Sequence, residues 1–181
     1  MTQRPDPPRP TVAMLRDVGL FGGLSDDVLS ALATELPVSI VDPGKDVIAE
    51  GDKARELFVV ISGELEVLKR SKRGTEARVA VLGPGDWFGE MAILDVQPRS
   101  ATVRAVAPTV MLHLSAEDVE KQLYRRDMKA YALLMMNIAR ELSRRLRVLD
   151  GIVAEMVASV FDEYMDGLGS RRPSRPPPPP R

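Results

Sequence analysis

From Val38 to Leu114 the sequence breaks into short apolar or alternating runs, separated by glycine, proline and charged residues, and this rhythm leaves little choice of fold. The runs are Val38 to Val41, Asp46 to Ala49, Leu57 to Ile61, Leu65 to Lys69, Ala77 to Leu82, Ala101 to Val106 and Thr109 to Leu114. Each has the length of a strand and is too short for an independent helix. Many short strands divided by tight turns bury their apolar faces as a sandwich or barrel.

The long helical signals lie on the flanks, so the chain is mainly β with flanking helices. Val12 to Leu36 reads as helix, with Ser25 as an N-cap before Asp26 and Asp27 and with Val28, Leu29, Leu32 and Leu36 at helical spacing. Ser115 with Asp118 opens a further helix as a capping box, and Asp127 caps the next. From there Tyr131, Met135, Ile138, Leu142, Leu146, Leu149, Val153, Met156, Val160 and Tyr164 recur every 3.7 residues or so, about the period of one straight, long helix. Gly151 falls inside this series, either tolerated at a cost of about 1 kcal/mol or used as a hinge. The expected organisation is a tail over 1–11, a β domain with N-terminal helices over 12–126, a long helix over 127–168, and a proline- and arginine-rich tail over 169–181.

Composition excludes several function classes. With 25 basic and 26 acidic residues the net charge is -1, so no global field draws the chain to nucleic acid or an anionic membrane. No cysteine is present, which removes disulfides, thiolate metal sites and cysteine nucleophiles and fits a cytoplasmic location. A single histidine, His113, is too few imidazoles for a jelly-roll metalloenzyme, so no metal is expected. Strand alternation sets His113 opposite Val110, Leu112 and Leu114, as a surface residue. No nucleophile and base pair is evident, so the chain is not read as an enzyme. No apolar run is long enough to cross a membrane.

The segment Phe88 to Val103 carries the chemistry. Gly89 lets the backbone take a positive φ and approach a ligand, and the helix-like run after Glu90 begins with amides that have no helical partner and attract an anion. Arg99 adds a planar, permanently charged fork, while Glu90 offers acceptor oxygens suited to a sugar hydroxyl.

Phe88-Gly89-Glu90, Met91-Ala92-Ile93-Leu94 and Pro98-Arg99-Ser100-Ala101-Thr102-Val103 together resemble the phosphate-binding cassette of the cyclic nucleotide-binding domain family, of the catabolite-activator and protein kinase A regulatory-subunit type. Val47 to Asp52, Leu57 to Gly63 and Leu82 to Asp86 resemble the family's strand and turn signatures in the same order. The resemblance implies a β jelly roll with N-terminal helices and a long C-terminal helix. It also implies cAMP or cGMP as a regulatory ligand. Arg99 would pair with the cyclic phosphate and Glu90 would accept from the ribose 2'-hydroxyl. Amides near Met91, Ala92 and Ala101 would complete the cradle beside Gly89, and Ser100 would lie near phosphate or base. On the long helix, Leu149 and Asp150 are the positions to cover the base. Asp150 suits adenine and guanine alike, whereas Ser100 stands where many cGMP binders carry threonine and inclines the reading to cAMP.

In the catabolite-activator branch the long helix is the dimer interface, so a homodimer is expected. Gly169 to Arg181 leaves no room for a DNA-reading module, so direct DNA binding is not expected, and the effector is an unidentified protein. Pro176 to Arg181 fits a pattern recognised by proline-binding modules. Lys69 to Gly74 reads as a solvated hairpin tip, and Arg140, Arg144, Arg145 and Arg147 as the wet face of the helix. Two functions fit these residues. One is a stand-alone nucleotide sensor acting through its C-terminal helix. The other is a dimeric adaptor of the same fold whose pocket is unused or filled by another anion.

Overall fold

A computed structural model describes residues 7–95 and 97–169 of the chain. The tails expected over 1–11 and 169–181, with the proline pattern from Pro176, lie outside the described residues except for 7–11 and Gly169. Two compact units divide the chain, one ending at Ile138 and the other beginning at Ala139.

The first unit holds eight strands in two antiparallel sheets: β1 (Val38–Val41), β2 (Asp46–Ile48), β3 (Glu56–Ser62), β4 (Leu65–Arg70), β5 (Glu76–Leu82), β6 (Trp87–Phe88), β7 (Thr102–Ala105) and β8 (Thr109–Ser115). Their order is β1-β8-β3-β6 in one sheet and β2-β7-β4-β5 in the other, which is a jelly roll. Seven strands coincide with the alternating runs to within one or two residues; β6, only two residues long, is the one that periodicity does not reveal. Inward-facing Phe58, Val60, Leu65, Phe88, Val103, Ala105 and Met111 form one core cluster between the sheets. Leu57 and Val59 point the other way along β3 and are equally buried, so the outer face of that sheet is covered as well.

Helices supply that cover. Val12 to Leu36 is not one helix but three pieces, α1 (Val12–Arg16), a 3-10 turn (Gly19–Phe21) and α2 (Asp26–Glu35), because Gly22 and Gly23 interrupt it and Ser25 restarts it as N-cap. The turn lies against the β sheet: a Cβ added to Gly19 would come 3.2 Å from the Trp87 ring. Within the residues expected as a tail, Pro10 is buried and Arg9 donates from Nη1 to the carbonyls of Ala33 and Leu36, each at 3.1 Å. These two carbonyls stand at the end of α2, where helical partners run out.

After β8 the Ser115 and Asp118 capping box opens a single turn, α4 (Ala116–Asp118), which continues as a π-helical stretch over Val119–Tyr124. Asp127 then caps α5 (Met128–Gly169), accepting from the Ala130 amide at 3.0 Å. The first turns of α5 belong to the first unit, with Ala130, Leu134 and Ile138 buried. Asn137 fixes them there, its Nδ2 donating to Leu20 O at 3.0 Å and Gly22 O at 2.9 Å. In the second unit the helix runs through Gly151 without a break, and its Leu146, Leu149, Val153, Met156, Val160 and Tyr164 are exposed. No helix among the described residues is long and apolar enough to cross a membrane.

Candidate functional site

The site residues come from four short backbone pieces. At the end of β6 the chain turns through Gly89, whose φ is +83°, a conformation that costs little only for glycine. One turn of helix follows, α3 (Met91–Leu94), with Glu90 at its N-cap position. Arg99 is fixed by the turn after β2. Its amide donates to Asp52 O at 2.8 Å and its carbonyl accepts from the Gly51 amide at 2.9 Å. The Thr102 hydroxyl, at the start of β7, accepts from the Glu50 amide at 3.0 Å. The block Val47 to Asp52 therefore positions Arg99, although the two are far apart in sequence.

Glu90 and Arg99 are both buried, at 3% and 5% exposure, which charged side chains seldom are unless they have a partner. Arg99 donates from Nη1 to the Gly89 carbonyl at 3.2 Å, and its guanidinium lies 5.9 Å above the Phe58 ring. Its Nε and Nη2 are buried without a hydrogen-bond partner among the described residues. Burial lowers the Arg99 pKa, against the opposing pull of the Glu56, Asp52 and Glu90 carboxylates. A guanidinium stays charged at neutral pH in spite of this, so its two idle donors form a pre-aimed fork for an anion.

The Arg99 bond to Gly89 O sets the segment Gly89, Glu90, Met91 and Ala92 beside Arg99, which Ser100 and Ala101 follow in the chain; Met91 is exposed. The Ala92 amide donates to Gly89 O at 3.1 Å, the carbonyl that also holds Arg99. Lys53, Ala54, Arg55, Ala92, Asp95 and Gln97 line a cavity of about 350 Å³ beside this segment, within the size range of ligand pockets. Leu149 and Asp150 lie in the second unit on α5, and both are exposed.

Sequence reasoning missed four partners: Phe58 under the guanidinium, the carboxylates of Asp52 and Glu56, and Lys69. Strand pairing brings Phe58, Glu56 and Lys69 to the cassette, and the turn after β2 brings Asp52. Lys69 is not merely a hairpin-tip cation, because its Nζ donates to the Ser100 carbonyl and to Glu50 Oε1, the latter at 2.6 Å. His113 also departs from the surface position that alternation predicts. It is half-buried, its ring meets Phe58 edge-on at 4.7 Å, and its Nε2 lies 2.5 Å from Ser39 Oγ. The opposite face of its strand is no wetter, since the second sheet covers one face of β8 and the helices cover the other.

A family model described as a cyclic nucleotide-binding domain matches residues 39–126. The chain is 34% identical over 131 residues to a cyclic AMP receptor protein of Thermus thermophilus, covering 72% of this chain and 58% of that one. It is 37% identical over 109 residues to the cGMP-dependent protein kinase egl-4 of Caenorhabditis elegans, covering 59% of this chain and 14% of the kinase. The crystal structure of the Thermus thermophilus catabolite activator protein superposes with a TM-score of 0.69 at 32% identity, over 77% of this chain and 63% of that one. The chain spans 58% to 62% of the length of the curated relatives it matches first.

Proposed function

Residues 39–126 belong to the cyclic nucleotide-binding domain family, and from that premise we propose that the chain is a cytoplasmic sensor of a cyclic mononucleotide, cAMP ahead of cGMP, and not an enzyme. The observation that carries this reading is the buried Arg99 with two idle donors, held next to the Gly89 carbonyl and Glu90. Buried donors without hydrogen-bond partners are costly, and a fold keeps them where an arriving anion recovers the cost. A cyclic phosphate carries one negative charge and two non-bridging oxygens, which match the Nε and Nη2 fork. Glu90 accepts from the ribose 2'-hydroxyl, and the backbone near Met91, Ala92 and Ala101 surrounds the phosphate. Ser100 in place of a threonine favours cAMP.

The bound state acts through α5 from its Asp127 cap onward, by differential affinity of the ligand for two positions of that helix. The exposed apolar row from Leu146 to Tyr164 is the surface for a second copy of the chain, as a homodimer, and its rearrangement is what an effector protein detects. That same row favours a second reading, a dimeric adaptor that never fills the pocket. Thermal melts with cAMP, cGMP and a cyclic dinucleotide separate the two. A sensor gains a few degrees with one mononucleotide near saturation, and an adaptor gains nothing with any of them.

A further inference from the structure

We propose that Lys69 is a positioning residue for ligand binding: its ammonium, seated on the Ser100 carbonyl and steadied by Glu50, orients the Ser100–Ala101 peptide so that the Ala101 amide proton faces the cyclic phosphate. This rests on the sensor reading and names a residue outside the cassette on which that reading depends.

Strand register brings Lys69 to the cassette. β4 pairs with β7 through Val67↔Val103 and Leu68↔Thr102, so the next residue on β4, Lys69, runs out alongside the Arg99 to Ala101 segment. Its Nζ donates to the Ser100 carbonyl and to Glu50 Oε1 at 2.6 Å. Glu50 is itself fixed at both ends, its amide donating to Thr102 Oγ1 at 3.0 Å and its Oε2 accepting from the Arg70 amide at 3.0 Å. The ammonium is therefore held by a carboxylate that cannot swing away.

A peptide group is planar and the Ser100–Ala101 peptide is trans, so the Ser100 carbonyl and the Ala101 N–H point in opposite directions from one rigid plate. Fixing the carbonyl on Lys69 fixes the amide on the other side. A cation on the carbonyl oxygen also draws electron density through the amide and makes the proton a stronger donor. Arg99 is the residue immediately before this plate, and its own backbone is clamped by Gly51 and Asp52. The side-chain fork and the amide thus reach an anion from one braced segment.

Calorimetric titration of cAMP, and of its two phosphorothioate diastereomers, into the full chain and its variants provides the test. Lys69→Met is expected to weaken cAMP binding by about 5- to 20-fold, the scale of one charge-assisted hydrogen bond in a half-exposed setting. It should also narrow the ratio between the diastereomers, since the Ala101 amide meets only one of the two non-bridging positions. Lys69→Arg, which reaches the same carbonyl, should stay within about threefold of wild type. Glu50→Gln, which loosens the ammonium without removing it, should fall between them. In the ligand-free protein the Ala101 amide proton resonance should move in Lys69→Met, with a melting temperature within a few degrees of wild type because the pair is partly exposed. Lys69→Met binding as tightly as wild type overturns the proposal, and so does an equal loss for both diastereomers. A wild-type chain that binds no cyclic mononucleotide overturns the sensor reading at the first titration, and the proposal with it.

Discussion

Replacing Gly89 with alanine tests whether the backbone at the cassette is held against its neighbours or merely turned. Two costs are separable. The first is conformational, since φ at Gly89 is +83° and a Cβ in that region costs about 1–2 kcal/mol. The second is steric: the added Cβ would stand 2.7 Å from Arg99 Nη1 and 2.7 Å from Glu56 O. Arg99 can move, but Glu56 cannot easily do so, because it is paired with Ser115 across β3 and β8. Forcing the strand aside adds about 1–3 kcal/mol. The sum of about 2–5 kcal/mol lowers the melting temperature by about 5–15 °C for a chain of this size. Gly44→Ala is the control, with φ +77° and no atom within 4 Å of the added Cβ. It carries the conformational cost alone and should lower the melting temperature by about 2–6 °C. Differential scanning calorimetry of both variants, with cAMP affinity measured alongside, reads the difference. Because the Cβ displaces Arg99, Gly89→Ala should also bind at least about tenfold more weakly, while Gly44→Ala keeps wild-type affinity. Equal melting temperatures and equal affinities for the two variants would refute the claim that Gly89 is packed against the arginine.

Three further outcomes follow from named contacts. Asn137→Ala removes two hydrogen bonds to the turn at Leu20 and Gly22, and denaturant melts should show a loss of about 2–4 kcal/mol. Burial lowers the His113 pKa, so the folded chain binds fewer protons there than the unfolded chain. That contribution is complete above the unfolded value of about 6.5 and is lost as pH falls. Melting temperatures should therefore drop between pH 7 and pH 5, and His113→Phe should flatten that slope. Gly151 lies in a continuous helix with open space around it, so Gly151→Ala should raise helix stability by about 0.5–1 kcal/mol, seen as a later unfolding of α5 by amide exchange.

What the sequence makes legible is whatever depends on period and punctuation. Seven strands announce themselves by alternation, and the Ser25, Ser115 and Asp127 caps mark helix starts because a side-chain oxygen one residue before a helix has few other uses there. β6 escapes because two residues have no period. The split of Val12 to Leu36 is hidden because its apolar spacing stays helical across Gly22 and Gly23, the residues at which the helix is interrupted before Ser25 restarts it. At the site, Gly89, Glu90 and Arg99 stand close enough in sequence to be read as a group. Phe58, Glu56, Asp52 and Lys69 do not, since strand register brings in three of them and the turn after β2 brings in Asp52. His113 misleads for a related reason: alternation assigns faces, but the packing of two sheets and a helical layer decides which faces are wet.

Arg99 bears the central claim most directly, and isothermal titration of cAMP into wild type and Arg99→Ala is the measurement that decides it. Two charge-assisted hydrogen bonds to the phosphate are lost, about 3–5 kcal/mol, so affinity should fall by about 100-fold or more. Unchanged cAMP affinity in Arg99→Ala would contradict the account.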